Sequence, residues 1–163
     1  MIAEQGREAC ACKFRSYPEI QPFSCRKLDV SSDESIFAPV KQITQISTTF
    51  DKLDVLVNNA GINLEGRPGP ITHVTLLETF EVNTFGPMIL TSAPAPLLTN
   101  SNDPRTVNIF SCLGSIGGRL DSNDPWYEFA GDAYRTSKAA LNMASASHNF
   151  DNTKTSSRPS RFA

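Results

Sequence analysis

Tyr134 and Lys138 stand four positions apart in AYRTSKAALNM, residues 133–143. On a helix that spacing puts a phenol and an ammonium on one face, as neighbours. A free phenol titrates at about pH 10, so near neutrality it is a poor base unless a cation favours its anion. Lys138 would supply that cation. Tyr134 could then work as an acid or base tuned by its neighbour. Taken alone, the pair would more often be a half-buried aromatic with a snorkelling neighbour. The choice turns on what the rest of the chain places beside it.

The chain of 163 residues is 39% hydrophobic and 20% charged, with a formal net charge of −2. Those values point to one soluble domain with a single modest core. Lysines and arginines are scattered, so no basic footprint for nucleic acid or anionic lipid emerges. Cys10, Cys12, Cys25 and Cys112 are too irregularly spaced for a metal knuckle, and His73 and His148 are the only histidines, so no metal site is expected. The opening MIAEQGREAC lacks a secretory apolar run, and no stretch approaches the length of a membrane span. The expected setting is the reducing cytoplasm.

Several elements must position the pair. Residues 3–16 tolerate a helix, which Tyr17, Pro18 and Pro22 would stop before the strand FSCRKLDV. Ser31 to Glu34 resemble an N-terminal cap, and Ile36, Val40, Ile43 and Ile46 then recur at helical spacing up to Phe50. LDVLV (53–57) is a branched apolar run of the kind found in strands buried on both faces, which implies parallel neighbours. Residues 76–98 read as a helix that Pro94 and Pro96 should kink or end early. TVNIF (106–110) is the next strand, followed by a long Gly, Ser and Asp-rich loop and a helix over 134–146. Strands alternating with helices give an α/β layer fold with a parallel sheet.

In such a sheet, ligands bind beyond the carboxyl ends of the strands. Asn58-Asn59-Ala60-Gly61 follows LDVLV, Ser111 follows TVNIF, and Asp29 closes FSCRKLDV. Each has a plainer reading: the Asn-Gly segment as a turn, Ser111 as a loop serine, Asp29 as a helix cap or solvated strand end. Asn83 lies in mid-helix, where its intrinsic propensity is poor, so it is expected to serve something else.

Four stretches in order, LDVLVNNAGI (53–62), VNTFGP (82–87), VNIFSCLGS (107–115) and AYRTSKAALNM, resemble the motifs of the short-chain dehydrogenase/reductase family. QGREA (5–9) and KLDVSSDESI (27–36) are similar to a helix and the third strand of that family. The resemblance implies an NAD(P)-dependent oxidoreductase that moves hydride between a nicotinamide cofactor and a small carbonyl compound or secondary alcohol. It makes Tyr134 the proton donor and Lys138 both its tuner and the holder of the nicotinamide ribose. It has Ser111 bond the substrate oxygen and Asn83 anchor the water and backbone arrangement that links Lys138 to solvent. It lines the cofactor with Asn58, Asn59, Ala60 and Gly61 and sets Asp29 against the adenine. The long interval from Ser111 to Tyr134 resembles the carbonyl-reductase-like members, in which NADPH is commoner than NADH and the usual tetramer is disfavoured.

The pattern breaks at both ends. No GxxxGxG occurs, so the Gly-rich turn that holds the cofactor pyrophosphate in the family has no counterpart and cofactor binding is expected to be impaired. ALNMASASHNF leaves the family pattern. The expected fold is therefore a partial doubly wound, Rossmann-like parallel sheet lacking the family's first two strands and its C-terminal strands. It would span residues 1–149, with 150–163 a disordered tail. In the order 3-2-1-4-5-6 the absent strands would separate FSCRKLDV from LDVLV and leave LDVLV an unpaired edge. Two outcomes fit: an oxidoreductase of little activity, or a catalytically inactive remnant or interaction protein that pairs through that edge.

Overall fold

The computed structural model describes residues 8–9, 27–46, 52–64 and 70–155. In chain order its elements are β1 (Glu8–Ala9), β2 (Leu28–Asp29), α1 (Asp33–Ile46), β3 (Val55–Asn58), α2 (His73–Phe80) and a π-helical turn (Glu81–Phe85). They continue with α3 (Gly86–Ser92), α4 (Ala95–Thr99), β4 (Arg105–Asn108), a 3-10 turn (Cys112–Gly114), α5 (Ile116–Leu120) and α6 (Asp132–Thr155).

β3 and β4 form a parallel pair, Val55 beside Arg105 through Asn58 beside Asn108. The ladder is closed at both ends, by Arg105 N–H to the Asp54 carbonyl at 2.9 Å and by Ile109 N–H to the Asn58 carbonyl at 3.0 Å. Because side chains alternate along a strand, Leu56, Asn58, Thr106 and Asn108 share one face, and the three polar ones among them are buried. Val55 and Val57 on the opposite face are 48% and 52% exposed. The expectation that LDVLV is buried on both faces is thus met on one only: α3 and α6 cover the Asn58 face, and no described element covers the other.

Glu8 and Ala9 pair antiparallel with Asp29 and Leu28. At these two positions the expected helix gives way to a strand, since pairing across the open edge of β2 satisfies the same backbone groups. The rest of residues 3–16, the proposed stop at Tyr17 to Pro22 and residues 23–26 of the expected strand lie outside the described residues. α1 begins as the Ser-Ser-Asp-Glu signal implies, with the Ser35 N–H donating to Ser32 Oγ at 3.3 Å.

Residues 73–92 make one helical rod with a π-helical turn in its middle. Thr72 caps its start by accepting from Thr75 N–H at 3.1 Å. The rod stops at Ser92, before Pro94, as the prolines require. Two further stretches depart from expectation. The 111–131 loop contains the 3-10 turn and α5, the latter started by Ser115 Oγ accepting from Gly118 N–H at 3.0 Å. α6 also stays helical to Thr155, into the segment expected to be a disordered tail.

Val30, Ile62 and Val82 form the buried cluster nearest the strand ends, flanked by Leu28, Ala60, Leu64 and Leu90. These three stand next in sequence to Asp29, Gly61 and Asn83, so their packing brings three separate segments into one place. Gly86 lets the rod approach closely, because a Cβ there would fall 2.5 Å from the Val30 carbonyl oxygen. Gly86→Ala is accordingly expected to destabilise the chain by roughly 1–3 kcal/mol. Gly117→Ala, whose new methyl would come no nearer than 3.9 Å to Ser115 Oγ, should be neutral or slightly stabilising in a paired urea titration.

Candidate active site

Asn83 lies in the π-helical turn and is fully buried. Its Oδ1 accepts from Ile62 N–H at 2.8 Å, and its Nδ2 donates to the Ile62 carbonyl at 2.8 Å and to Ser137 Oγ at 3.0 Å. The carboxamide thus pairs with a backbone unit as a neighbouring strand would. Thr84 Oγ donates to the Ser137 carbonyl at 2.9 Å, and Ser137 Oγ to the Tyr134 carbonyl at 2.8 Å. The π-helical turn is therefore fastened at once to the segment after β3 and to the turn of α6 that carries the Tyr-Lys pair.

Lys138 is 5% exposed, and its Nζ donates to the Ile109 carbonyl at 2.9 Å. Nζ sits 5.8 Å from the centre of the Tyr134 ring, so the sequence spacing does bring ammonium and phenol together. No salt bridge to Lys138 occurs among the described residues. Burial pushes its pKa below the usual 10.5, because the charged form gives up water for one carbonyl. Gly61 faces the same spot: a Cβ there would lie 3.4 Å from Asn83 Oδ1 and 3.7 Å from Lys138 Nζ. The missing side chain leaves a polar cradle between the two.

Ser111 begins the 3-10 turn, its Oγ accepting from Leu113 N–H at 3.2 Å. The turn is held on α6 from both sides. Ile109 accepts from Lys138, and the Leu113 carbonyl accepts from Arg135 Nη1 at 3.4 Å. A Cβ at Gly114 would stand 2.9 Å from the Lys138 carbonyl carbon, so the loop backbone rests directly on the helix. Asn83, Lys138 and the Tyr134 ring thus lie around the Gly61 cradle, and Ser111 follows two residues after the Ile109 carbonyl that Lys138 holds.

Asn58 and Asp29 both bond to side chains or backbone within the chain. Asn58 is buried, with Nδ2 donating to Thr91 Oγ at 3.0 Å and to Asn108 Oδ1 at 2.7 Å. Its side chain turns inward because it shares the covered face of the sheet, while Ala60 packs on the Val30, Ile62 and Val82 cluster and Gly61 faces Asn83 and Lys138. Asp29 Oδ1 accepts from Ser31 N–H at 2.9 Å and Ser31 Oγ at 2.7 Å, which organises the turn into α1. Its plainer reading as a capping residue thus describes that oxygen.

Other residues that build the region escaped the sequence reading. Asn108 Nδ2 donates to Ser145 Oγ at 2.8 Å, continuing the chain Thr91, Asn58, Asn108 into α6. An asparagine inside the apolar run TVNIF was the available signal. Ser137 and Arg135 lie inside AYRTSK itself, but on periodicity alone they pass for solvated helix positions. Among the described residues no group of His, Cys, Asp and Glu could hold a metal, and no helix is long and apolar enough to cross a membrane.

Parallel strands with helices packed on the sheet and polar residues gathered past the strand ends define an α/β protein of the Rossmann-like class. A profile of the short chain dehydrogenase family matches residues 2–156, and the chain belongs to that family. It is 38% identical over 126 residues to the short-chain dehydrogenase anuI of Penicillium roqueforti, covering 73% of this chain and 48% of that protein. The structure is similar to NADPH-bound carbonyl reductase from chicken fatty liver, with TM-score 0.67 and 28% identity over 78% of this chain and 51% of that one. It is also similar to the carbonyl reductase Sniffer of D. melanogaster, with TM-score 0.62 and 32% identity over 79% and 54%. The chain spans about half the length of these relatives.

Two measurements probe the site. Asn83→Leu strands both backbone groups of the buried Ile62, so it should cost roughly 2–4 kcal/mol in urea unfolding. For Lys138, a folded-state pKa below the unfolded value means the unfolded chain binds more protons between the two, so stability rises with pH there. The desolvation penalty is complete below the folded pKa and fades as pH climbs toward 10.5. Wild type should therefore gain on Lys138→Met in urea midpoint between pH 7 and pH 10.

Proposed function

We propose that this chain carries the catalytic side chains of an NAD(P)-dependent oxidoreductase acting on a small carbonyl compound or secondary alcohol. The observation that supports this most is the buried Lys138 ammonium, one helical turn from Tyr134, facing the space left open by Gly61 and bonded to the strand-end carbonyl of Ile109. A buried cation without a carboxylate partner favours whatever negative charge forms beside it.

A bound nicotinamide would supply or accept the hydride. Tyr134 would give its phenolic proton to the carbonyl oxygen in reduction, or take the alcohol proton in oxidation, with the ammonium of Lys138 favouring the phenolate. Ser111 Oγ already accepts from Leu113 N–H, which leaves its own O–H to donate to the same oxygen. The Gly61 cradle suits a ribose hydroxyl, which could accept from Lys138 and leave Asn83 to hold the backbone around it. Asn59, Ala60 and Asp29 would border the rest of the cofactor. NADPH is favoured over NADH by the likeness to the NADPH-bound carbonyl reductase. The free, exposed Cys112 suits a reducing compartment such as the cytoplasm.

One observation favours a second reading, an interaction protein built on the same fold. Val55 and Val57 are about half exposed on a two-stranded parallel sheet, an arrangement usually covered on both faces. A partner chain of the same family that lays an apolar helix on that face and a strand along the open edge of β3 would complete it. A cofactor titration separates the two readings. The enzyme reading expects millimolar NADPH to raise the melting temperature, and Tyr134→Phe to keep that rise while losing at least about a hundredfold in carbonyl reduction. Absence of any rise with either NADPH or NADH overturns it for this chain and leaves the interaction reading.

A further inference from the structure

Arg135 is 7% exposed and has no carboxylate partner among the described residues. Its guanidinium is met instead by backbone carbonyls of the preceding loop. Nε donates to Phe129 at 3.1 Å, Nη1 to Leu113 at 3.4 Å, and Nη2 to Trp126. The guanidinium carbon also lies 6.0 Å from the centre of the Phe129 ring. These carbonyls come from both ends of one segment, and all are bound by the residue next to Tyr134.

The segment is internally braced as well. Arg119 Nη1 donates to the Tyr127 carbonyl at 2.6 Å, Asp124 Oδ1 accepts from Trp126 N–H at 2.7 Å, and the Trp126 and Phe129 rings meet edge to face at 6.3 Å. Gly131, at φ 139°, then turns the chain into α6. A brace of this kind keeps its own shape but needs an anchor to hold it against the helix. Only a planar fork of five N–H donors can serve three carbonyls pointing from different directions; a lysine ammonium on a flexible stem cannot.

We propose that Arg135 is a positioning residue: its guanidinium clasps residues 113–129 shut against the start of α6, so that the segment forms a fixed wall beside Tyr134. The clasp stands on geometry alone; that the wall bounds a substrate site rests on the function proposed above.

Trp126 is the sole tryptophan of the chain and sits within the clasped segment, so its fluorescence reports on the clasp without reference to activity. The test compares wild type, Arg135→Lys and Arg135→Met as full chains, by acrylamide quenching of Trp126 and by chymotryptic cleavage near Trp126–Phe129. Far-UV circular dichroism serves as the check on folding. Both variants should show at least about twofold greater quenching and at least tenfold faster cleavage while keeping their helicity. If either folded variant quenches and cleaves as wild type does, the clasp does not exist. Should neither variant fold, hydrogen exchange of the unmodified chain decides. The Arg135 Nε–H, bonded to the Phe129 carbonyl, should exchange at least tenfold slower than that of a free arginine, and unprotected exchange overturns the proposal. Where the chain reduces carbonyls, Arg135→Lys should raise KM at least fivefold with kcat within about twofold. Greater quenching in Arg135→Lys with no KM change refutes only the wall, and an inactive wild-type chain with the clasp intact refutes only the proposed function.

Discussion

The pairing of the Asn83 carboxamide with both backbone groups of Ile62 is the contact on which the rest of the region depends. Ile62 follows a strand and has no strand beside it among the described residues, and a buried peptide unit in that position must find a donor and an acceptor together. A carboxamide offers both in the geometry of another peptide. Asn83 reaches because the rod winds as a π-helical turn there, and such turns rotate side chains out of regular helical register. The remaining Asn83 hydrogen goes to Ser137, so that one side chain joins the β3 segment, the rod and α6.

Around this junction the buried charges are handled without carboxylates. Lys138 and Arg135, three positions apart on α6, are both buried, and both are met by main-chain carbonyls. Carbonyl dipoles offset part of the cost of dehydration but do not cancel the charge, as an aspartate would. Neither charge is neutralised by a carboxylate among the described residues, which is what the proposed reaction would use. The same bonds dock the loop after β4 on the helix. Electrostatics and architecture are therefore the same contacts, with Ile109, Leu113, Trp126 and Phe129 providing the carbonyls.

Much of this was legible before the fold was known, and for identifiable reasons. The Tyr134 to Lys138 spacing fixes their adjacency on any helix, and Pro94 ends the rod through its missing N–H. Polar residues after LDVLV and TVNIF fall where a parallel sheet puts its ligand end. The inward turn of Asn58 was not legible, since alternation assigns faces but does not say which face a helix covers. Nor was the exposure of Val55 and Val57, because a branched apolar run describes what a strand suits and not what surrounds it. Glu8 and Ala9 pair with β2 although their surroundings tolerate a helix, a case of non-local pairing overriding weak propensity.

By itself, the sequence determined the family, the α/β order of elements and the set of groups able to move a proton, because these reside in residue type and short-range spacing. Tertiary structure alone decided that Lys138 is buried, that Gly61 opens toward it, and that Arg135 is spent on loop carbonyls. Each of those depends on segments tens of residues apart meeting in space. Burial and hydrogen-bond partnership belong to the meeting place, which no local pattern encodes.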